Sequence, residues 1–408
     1  MLSRYYVFVV AMIASLTIAH AEGFRLYGMS QEGQMRGEAL VASGNGPDAN
    51  WYNPASLTGM DGNVRATAGL NYIVVYSEVK DAVGSTYKNN DKIFPLPSLY
   101  YGQKWGERWA FGMGINSPFG LSTSYDNSVP FSYATTGATV KLVNFSPNAA
   151  YKISDSVSVG AGINYYRSSV ELNKVAPYSF YSAADSPVSI NGDGTGVGLN
   201  TGILIHLPKR QKIGLTYKSE VAIDYEGGEA KVDIFPLTGQ PYETGAKTRI
   251  RFPDMVGFGW SISPNDHWDL EVGGQWTNWT DLEKVELTFD EPNAYLPNET
   301  TRFDWKNSWT ARIGTAYQMT DHWKLSGGYF YSSTPTREST YSATVPDGNH
   351  HVVSAGGIFD SGRWIVGIPA VLVFQTGSSK IDTDKLYETD GDYNVFAYQL
   401  GLSVGLRF

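Results

Sequence analysis

The sequence predicts an all-β fold, a 14-stranded antiparallel transmembrane β-barrel with an amino-terminal hatch, or plug, inside its lumen. Three observations carry this expectation. The last stretch, Asn394 to Phe408, alternates strictly. Phe396, Tyr398, Leu400, Leu402, Val404, Leu406 and Phe408 are large and apolar, and the residues between them are Ala, Gln, Gly, Ser, Gly and Arg. Period-two alternation puts the two sets on opposite faces of a strand. One face is too apolar for water and the other too polar for a soluble core, which fits hydrocarbon outside and a hydrated lumen inside. Such segments recur along the chain, joined by connections that are alternately long and tight. Beyond the amino terminus no run of about 18 apolar residues occurs, so no helix is expected to span a membrane.

Residues 1–21 read as a secretory signal. Arg4 supplies the positive charge, Val7 to Ile18 the apolar stretch, and Ala19-His20-Ala21 a small-residue cleavage site before Glu22. Residues 22–62 differ from the rest of the chain. They are rich in Gly, Ala, Ser and Asn, show no alternation, and carry turn signals at Gly44-Asn45-Gly46-Pro47 and Asn53-Pro54. Phe24, Leu26, Met29, Met35, Leu40, Trp51, Tyr52 and Leu57 supply more buried anchors than a disordered tail would have. A compact plug is the expectation. Residues 63–408 form the barrel.

The barrel region holds fourteen alternating segments, near 64–76, 96–105, 109–116, 139–152, 156–172, 193–206, 211–225, 246–262, 266–281, 300–317, 321–334, 349–360, 363–377 and 394–408. Connections after odd segments are long (77–95, 117–138, 173–192, 226–245, 282–299, 335–348, 378–393). Those after even segments are tight, as at Gly106-Glu107, Ser154-Asp155 and Lys209-Arg210. This is the layout of a bacterial outer-membrane barrel with both termini in the periplasm and the long loops outside. A soluble β-sandwich also alternates, but its strands are shorter and its loops do not sort by length. Trp and Tyr near strand ends fit interfacial girdles. Pro369 inside the thirteenth segment predicts a bulge or a shifted boundary.

The third segment is unusual. From Phe111 to Gly120 it carries Gly112, Gly114, Asn116, Pro118 and Gly120 where a ladder should continue. Glycine and proline weaken pairing, so a sideways opening in the wall is expected here, with an ordinary strand end as the plainer reading. By parity Ile73, Val75, Met255 and Phe330 face inward, as does Arg312. Apolar lumenal residues point to a greasy pocket or to packing against the plug, and Arg312 to a substrate carboxylate or a plug acid. Tyr178, Phe180 and Tyr181, with Ile234, Phe235 and Leu237, put apolar groups on two outer loops, where a hydrophobic ligand would first land.

The residues present exclude several functions. With no cysteine there is no thiol catalysis or thiolate metal site. No phosphate-binding loop, zinc motif or calcium loop occurs, so neither cofactor nor metal is expected. His350 and His351 are the only histidines at the outer level, and no serine motif points at them. A formal charge of −9 argues against nucleic acid. Acids gather in a late loop (Asp382, Asp384, Glu388, Asp390, Asp392), as solvated charge or as cation-bridged contacts to lipopolysaccharide.

Several stretches together resemble the FadL/TodX family of outer-membrane transporters for long-chain fatty acids and other hydrophobic compounds. They are Glu22-Gly23-Phe24, Arg36-Gly37-Glu38-Ala39, Asn53-Pro54-Ala55-Ser56-Leu57, Asn116 to Leu121, Ser146 to Tyr151, Phe252-Pro253-Asp254, and Trp305 to Tyr317 with Trp323 to Tyr329. The resemblance implies a hatch containing Asn53, Pro54 and Ala55, an outer capture groove around Phe180 and Phe235, a tighter pocket beside the hatch, and a lateral exit at a kink spanning Gly114 to Gly120. The family's carboxylate-binding basic residues have no motif match here. His350-His351 stands where a basic residue is expected, so fatty acid versus hydrocarbon stays open. The sequence expectation is a passive, monomeric outer-membrane channel for a hydrophobic small molecule. A polar-solute porin and a surface adhesin or lipase barrel are the alternatives.

Overall fold

Period-two segments close on themselves in the computed structural model. It describes residues 22–408 apart from 82, 91–92, 179–183, 233–239, 377–379 and 382–389. The wall is a closed antiparallel barrel of 14 strands. They are β1 (Val64–Asp81), β2 (Ile93–Trp105), β3 (Trp109–Asn116 and Gly120–Ser124), β4 (Gly137–Lys152), β5 (Val157–Ala176), β6 (Ser186–Leu207) and β7 (Gln211–Lys218 and Val221–Val232). The remaining seven are β8 (Tyr242–Phe252 and Met255–Ile262), β9 (Trp268–Thr277), β10 (Ser308–Gln318), β11 (Trp323–Ser332), β12 (Asn349–Asp360), β13 (Trp364–Thr376) and β14 (Gly391–Arg407). Each pairs with the next, and β14 pairs with β1 from Arg65↔Arg407 to Asp81↔Gly391. Closure leaves no lipid-exposed edge at that seam.

Alternation explains the two faces. Leu99, Val143, Phe145, Ile163, Leu199, Leu215, Phe258, Ile313, Leu325, Val353, Leu400 and Leu402 are all large, apolar and exposed on the outside. A continuous apolar surface of that extent needs hydrocarbon around it. Trp105, Trp109, Trp268, Trp323 and Trp364 stand exposed at the tight-turn end, at the level of an interfacial girdle.

Three expectations change. Within connections 173–192 and 226–245, residues 173–176, 186–192, 226–232 and 242–245 are strand, because β5 to β8 continue past the apolar band. Their inward residues Ala176, Val188, Ile190, Val232 and Ala246 pack with Leu287 and Phe289 into a second core. Within 282–299 a hairpin forms, Lys284–Phe289 pairing with Glu299–Arg302. Pro369 causes neither a bulge nor a boundary shift. β13 pairs with β14 at Gly367↔Ser403 and again at Ala370↔Leu400, in one unchanged register. Only the two pairs at Ile368 and Pro369 are lost, since proline has no N–H to donate.

Residues 22–62 fold into a helix Gln31–Met35, a helical turn Ala49–Tyr52 and a 3₁₀ turn Pro54–Gly59. Nearly all of them are buried, and their hydrogen bonds run to residues of β2, β4, β6, β9, β12 and β14.

Candidate functional site

The local chemistry of residues 22–62 fixes how the segment sits against the wall. Ser30 caps the first helix by accepting from Gly33 N, at 3.1 Å. Asn53 caps the 3₁₀ turn by accepting from Ala55 N, at 3.1 Å. Its amide donates outward to Val41 O at 2.8 Å and to Ile203 O of β6 at 3.1 Å. Pro54 and Ala55 press on β5 and β6 where only glycine fits. A Cβ on Gly160 would lie 2.5 Å from Ala55 N, and one on Gly202 would lie 2.1 Å from Asn53 Oδ1. Glu271 of β9, fully buried, accepts from three successive N–H groups, Val41 at 2.7 Å, Ala42 at 3.2 Å and Ser43 at 2.7 Å. A buried carboxylate satisfied by several backbone donors is a strong anchor.

The amino-terminal end is held separately. Glu22 N and Gly23 N donate to Asp347, at 3.0 and 3.2 Å. Burial pushes the Asp347 carboxyl up to about 7. Glu22 itself pairs with Arg25 and accepts from Thr277 and Ser308. Burial works to raise its carboxyl, but Arg25, the Thr277 hydroxyl and Arg312 hold it below the usual carboxylate range. Phe24 enters an aromatic cage, with ring centroids 5.1 Å from Trp305 and 6.0 Å from Trp279. Phe119 joins the same cage from the wall side, 5.0 Å from Phe252 and 6.2 Å from Trp279.

Phe119 belongs to the interruption of β3. The ladder between β2 and β3 runs from Trp105↔Trp109 to Leu99↔Ile115 and stops. Beyond the break, Gly120–Ser124 pairs with β4 alone, one residue out of the earlier register. In place of the wall, residues 117–120 bond to the amino-terminal segment. Leu26 N donates to Pro118 O at 2.9 Å, Gly120 N donates to Phe24 O at 2.8 Å, and Arg25 bridges Phe119 between them. Of the residues expected at a lateral opening, Pro118 and Gly120 lie in this break. Asn116 is the last paired residue before it, donating to Tyr100 OH at 2.9 Å. Gly112 and Gly114 lie lower, inside the continuous ladder and against Asn50.

The five expected lumenal residues are buried. Ile73, Val75, Met255 and Phe330 belong to one apolar cluster that also holds Phe24, Trp51 and Tyr166. Arg312 donates to Glu38 O at 3.1 Å and to Gln275 at 3.3 Å, so it binds the amino-terminal segment. Sequence reasoning missed Lys218. It points inward from β7, only 8% exposed, with Nζ 4.5 Å from the centroid of Trp51. Among the described residues no carboxylate pairs with it. Its signal was parity, since Leu215 and Tyr217 face out. Asp347 and Glu271 were missed as well.

Of the expected entry residues, Tyr178 is buried and packs edge-on against Tyr295 at 5.9 Å. Phe180, Tyr181, Phe235 and Leu237 lie outside the described residues. Among the described residues an outer cleft of about 470 Å³ is lined by Lys174, Val188, Lys231, Val232 and Tyr242 among others.

Comparison with known proteins agrees with this geometry. The family described as outer membrane protein transport protein (OMPP1/FadL/TodX) matches residues 10–408. The long-chain fatty acid transport protein of Escherichia coli O6:H1 is 25% identical over 392 residues, covering 85% of each chain. The crystal structure of a Pseudomonas aeruginosa FadL homologue superposes with a TM-score of 0.84 at 19% identity, covering 95% of this chain and all of that one. That of the Ralstonia pickettii toluene transporter TbuX gives 0.74 at 16%, covering 95% and 99%. The chain therefore belongs to the OMPP1/FadL/TodX family of outer-membrane transport proteins, and is a transport barrel rather than an enzyme.

Proposed function

We propose that the protein is a passive channel for hydrophobic small molecules. Ligand is captured at the outer cleft, held in the lumen beside a hatch formed by residues 22–62, and released sideways through the break in β3. The observation that carries this reading is the bonding of Phe24 to Leu26 onto Pro118 to Gly120. The amino-terminal strand stands in for missing wall, so its displacement opens a route from lumen to membrane. The carboxyl terminus and the tight turns lie in the periplasm. Transfer of apolar surface drives each step, at about 25 cal/mol per Å² buried.

Lys218 favours a long-chain carboxylate over a neutral hydrocarbon. A buried ammonium without an acid is costly, and a ligand carboxylate would relieve that cost. Tail methylenes would lie on the cluster around Trp51 and Tyr166. The test is uptake of oleate and of toluene by cells lacking their own hydrophobic transporter. Oleate uptake that depends on Lys218 supports the reading. Toluene uptake alone removes the carboxylate, and ion conductance without either makes the barrel a porin.

A further inference from the structure

We infer that Pro95 and Pro97 hold the lateral opening apart by removing the backbone donors from its β2 edge. The inference rests on the lateral release proposed for this channel. Direction of hydrogen bonding follows from strand parity. Lys104 N donates to Asn63 O at 2.8 Å, so even-numbered residues of β2 bond toward β1. Odd-numbered residues bond toward β3, as the pairs Leu99↔Ile115 to Trp105↔Trp109 require. Between Ile93 and Leu99 the odd positions are 95 and 97, and both are proline. Every N–H that this stretch would present to the gap is therefore absent.

On the opposite edge, two of the three residues that face the gap, Gly120 and Ser124, bond elsewhere. Tyr125 N donates to Thr136 O at 2.7 Å, so odd residues of Gly120–Ser124 bond to β4 and even ones face the gap. Gly120 N is taken by Phe24 O. At the top, Ser124 N donates to Asn89 Oδ1 at 2.7 Å, and Asn90 N donates to Ser124 O at 2.8 Å. The opening is thus framed by Leu99 and Ile115 below, Asn89, Asn90 and Ser124 above, and two prolines along one side.

Elsewhere in the wall a single proline does not open the sheet. At Pro147 the β4–β5 ladder skips from Phe145↔Tyr165 to Asn148↔Gly162 in one register, as β13 does at Pro369. One missing donor interrupts two residue pairs, after which the ladder resumes in the same register. Two on the same edge, at i and i+2, remove a continuous stretch of ladder. In hydrocarbon an unpaired N–H is driven to find an acceptor, so an ordinary sequence here would zip onto β3 and seal the wall. The same prolines still pair with β1, at Tyr72↔Pro95 and Leu70↔Pro97, where their missing N–H is not used.

The test uses the full barrel in proteoliposomes, with folding checked by heat-modifiable migration. Pro95→Ala/Pro97→Ala restores both donors. Uptake of hydrophobic ligand should fall about tenfold, and the two new amide protons should resist exchange, as ladder donors do. Separately, a Ser122→Cys variant is labelled with a bulky maleimide to obstruct the opening. If the label blocks uptake but the double alanine variant transports normally and exchanges both amides fast, the proline inference is overturned and lateral release stands. If the label leaves uptake unchanged, lateral release fails and the inference fails with it.

Discussion

Lys218 is the residue that a ligand carboxylate would satisfy under the proposed function. Its ammonium faces Trp51 and no acid, and a cation over an aromatic face gains only part of what hydration gave it. Lys218→Met keeps the stem and removes the charge. Oleate uptake should drop about tenfold, the scale of one charge-assisted hydrogen bond, while toluene uptake is unchanged. Asp48 offers a second residue-scale prediction. Its carboxyl takes the Ser30 hydroxyl and is pushed up to about 6, by burial first and by Glu32 next. Raised above its unfolded value, it stabilises the fold fully below that value and loses the contribution as pH rises through about 6. Amide protection across residues 30–48 should be weaker at about pH 8 than at about pH 5, and Asp48→Asn should remove the difference. Lys218 and Asp48 were not legible as a site in the sequence. Parity gave the direction of Lys218, but the absence of a partner is a property of the assembled lumen.

At the scale of elements, the wall was written plainly in the sequence and the amino-terminal segment only in outline. Period-two alternation and tight turns fix strand number and orientation because each inward–outward swap is expensive in a membrane. Strand ends were misplaced where β5 to β8 run on above the band, since the pattern there changes from apolar-out to charged-out. Arg249 with Asp224 and Lys247 with Asp290 show that change. Residues 22–62 have no period to read, because they are held by scattered hydrogen bonds to wall residues as far as 365 positions away. Asp347 is one such point. Replacing it, as in Asp347→Ala, removes the acceptor of Glu22 and Gly23 and should loosen the first residues without unfolding the barrel. Cleavage by an added protease near residue 25 should become faster, with heat-modifiable migration retained. Unchanged cleavage would show that the aromatic cage around Phe24 and the bonds to Thr277, Ser308, Pro118 and Gly120 hold the segment without Asp347.

For the whole molecule, the amino-terminal segment and the break in β3 are joined backbone to backbone. Fold and family were legible from sequence because they rest on many repeated residues. The coupling was not, because it rests on three backbone contacts, Leu26 to Pro118, Phe24 to Gly120, and Arg25 beside Phe119. Backbone groups carry no sequence signature. Arg25 and Phe119 form a pair flanked by these two hydrogen bonds, the arrangement in which cross-strand Cα atoms approach most closely. That spacing suits a disulfide, and the chain has no other cysteine to compete. The most direct measurement is therefore oleate uptake by an Arg25→Cys/Phe119→Cys barrel, oxidised and then reduced. Uptake that is lost on oxidation and restored by reductant is the predicted result. Equal uptake in both states would contradict the account, because ligand would then cross without the segment leaving the wall.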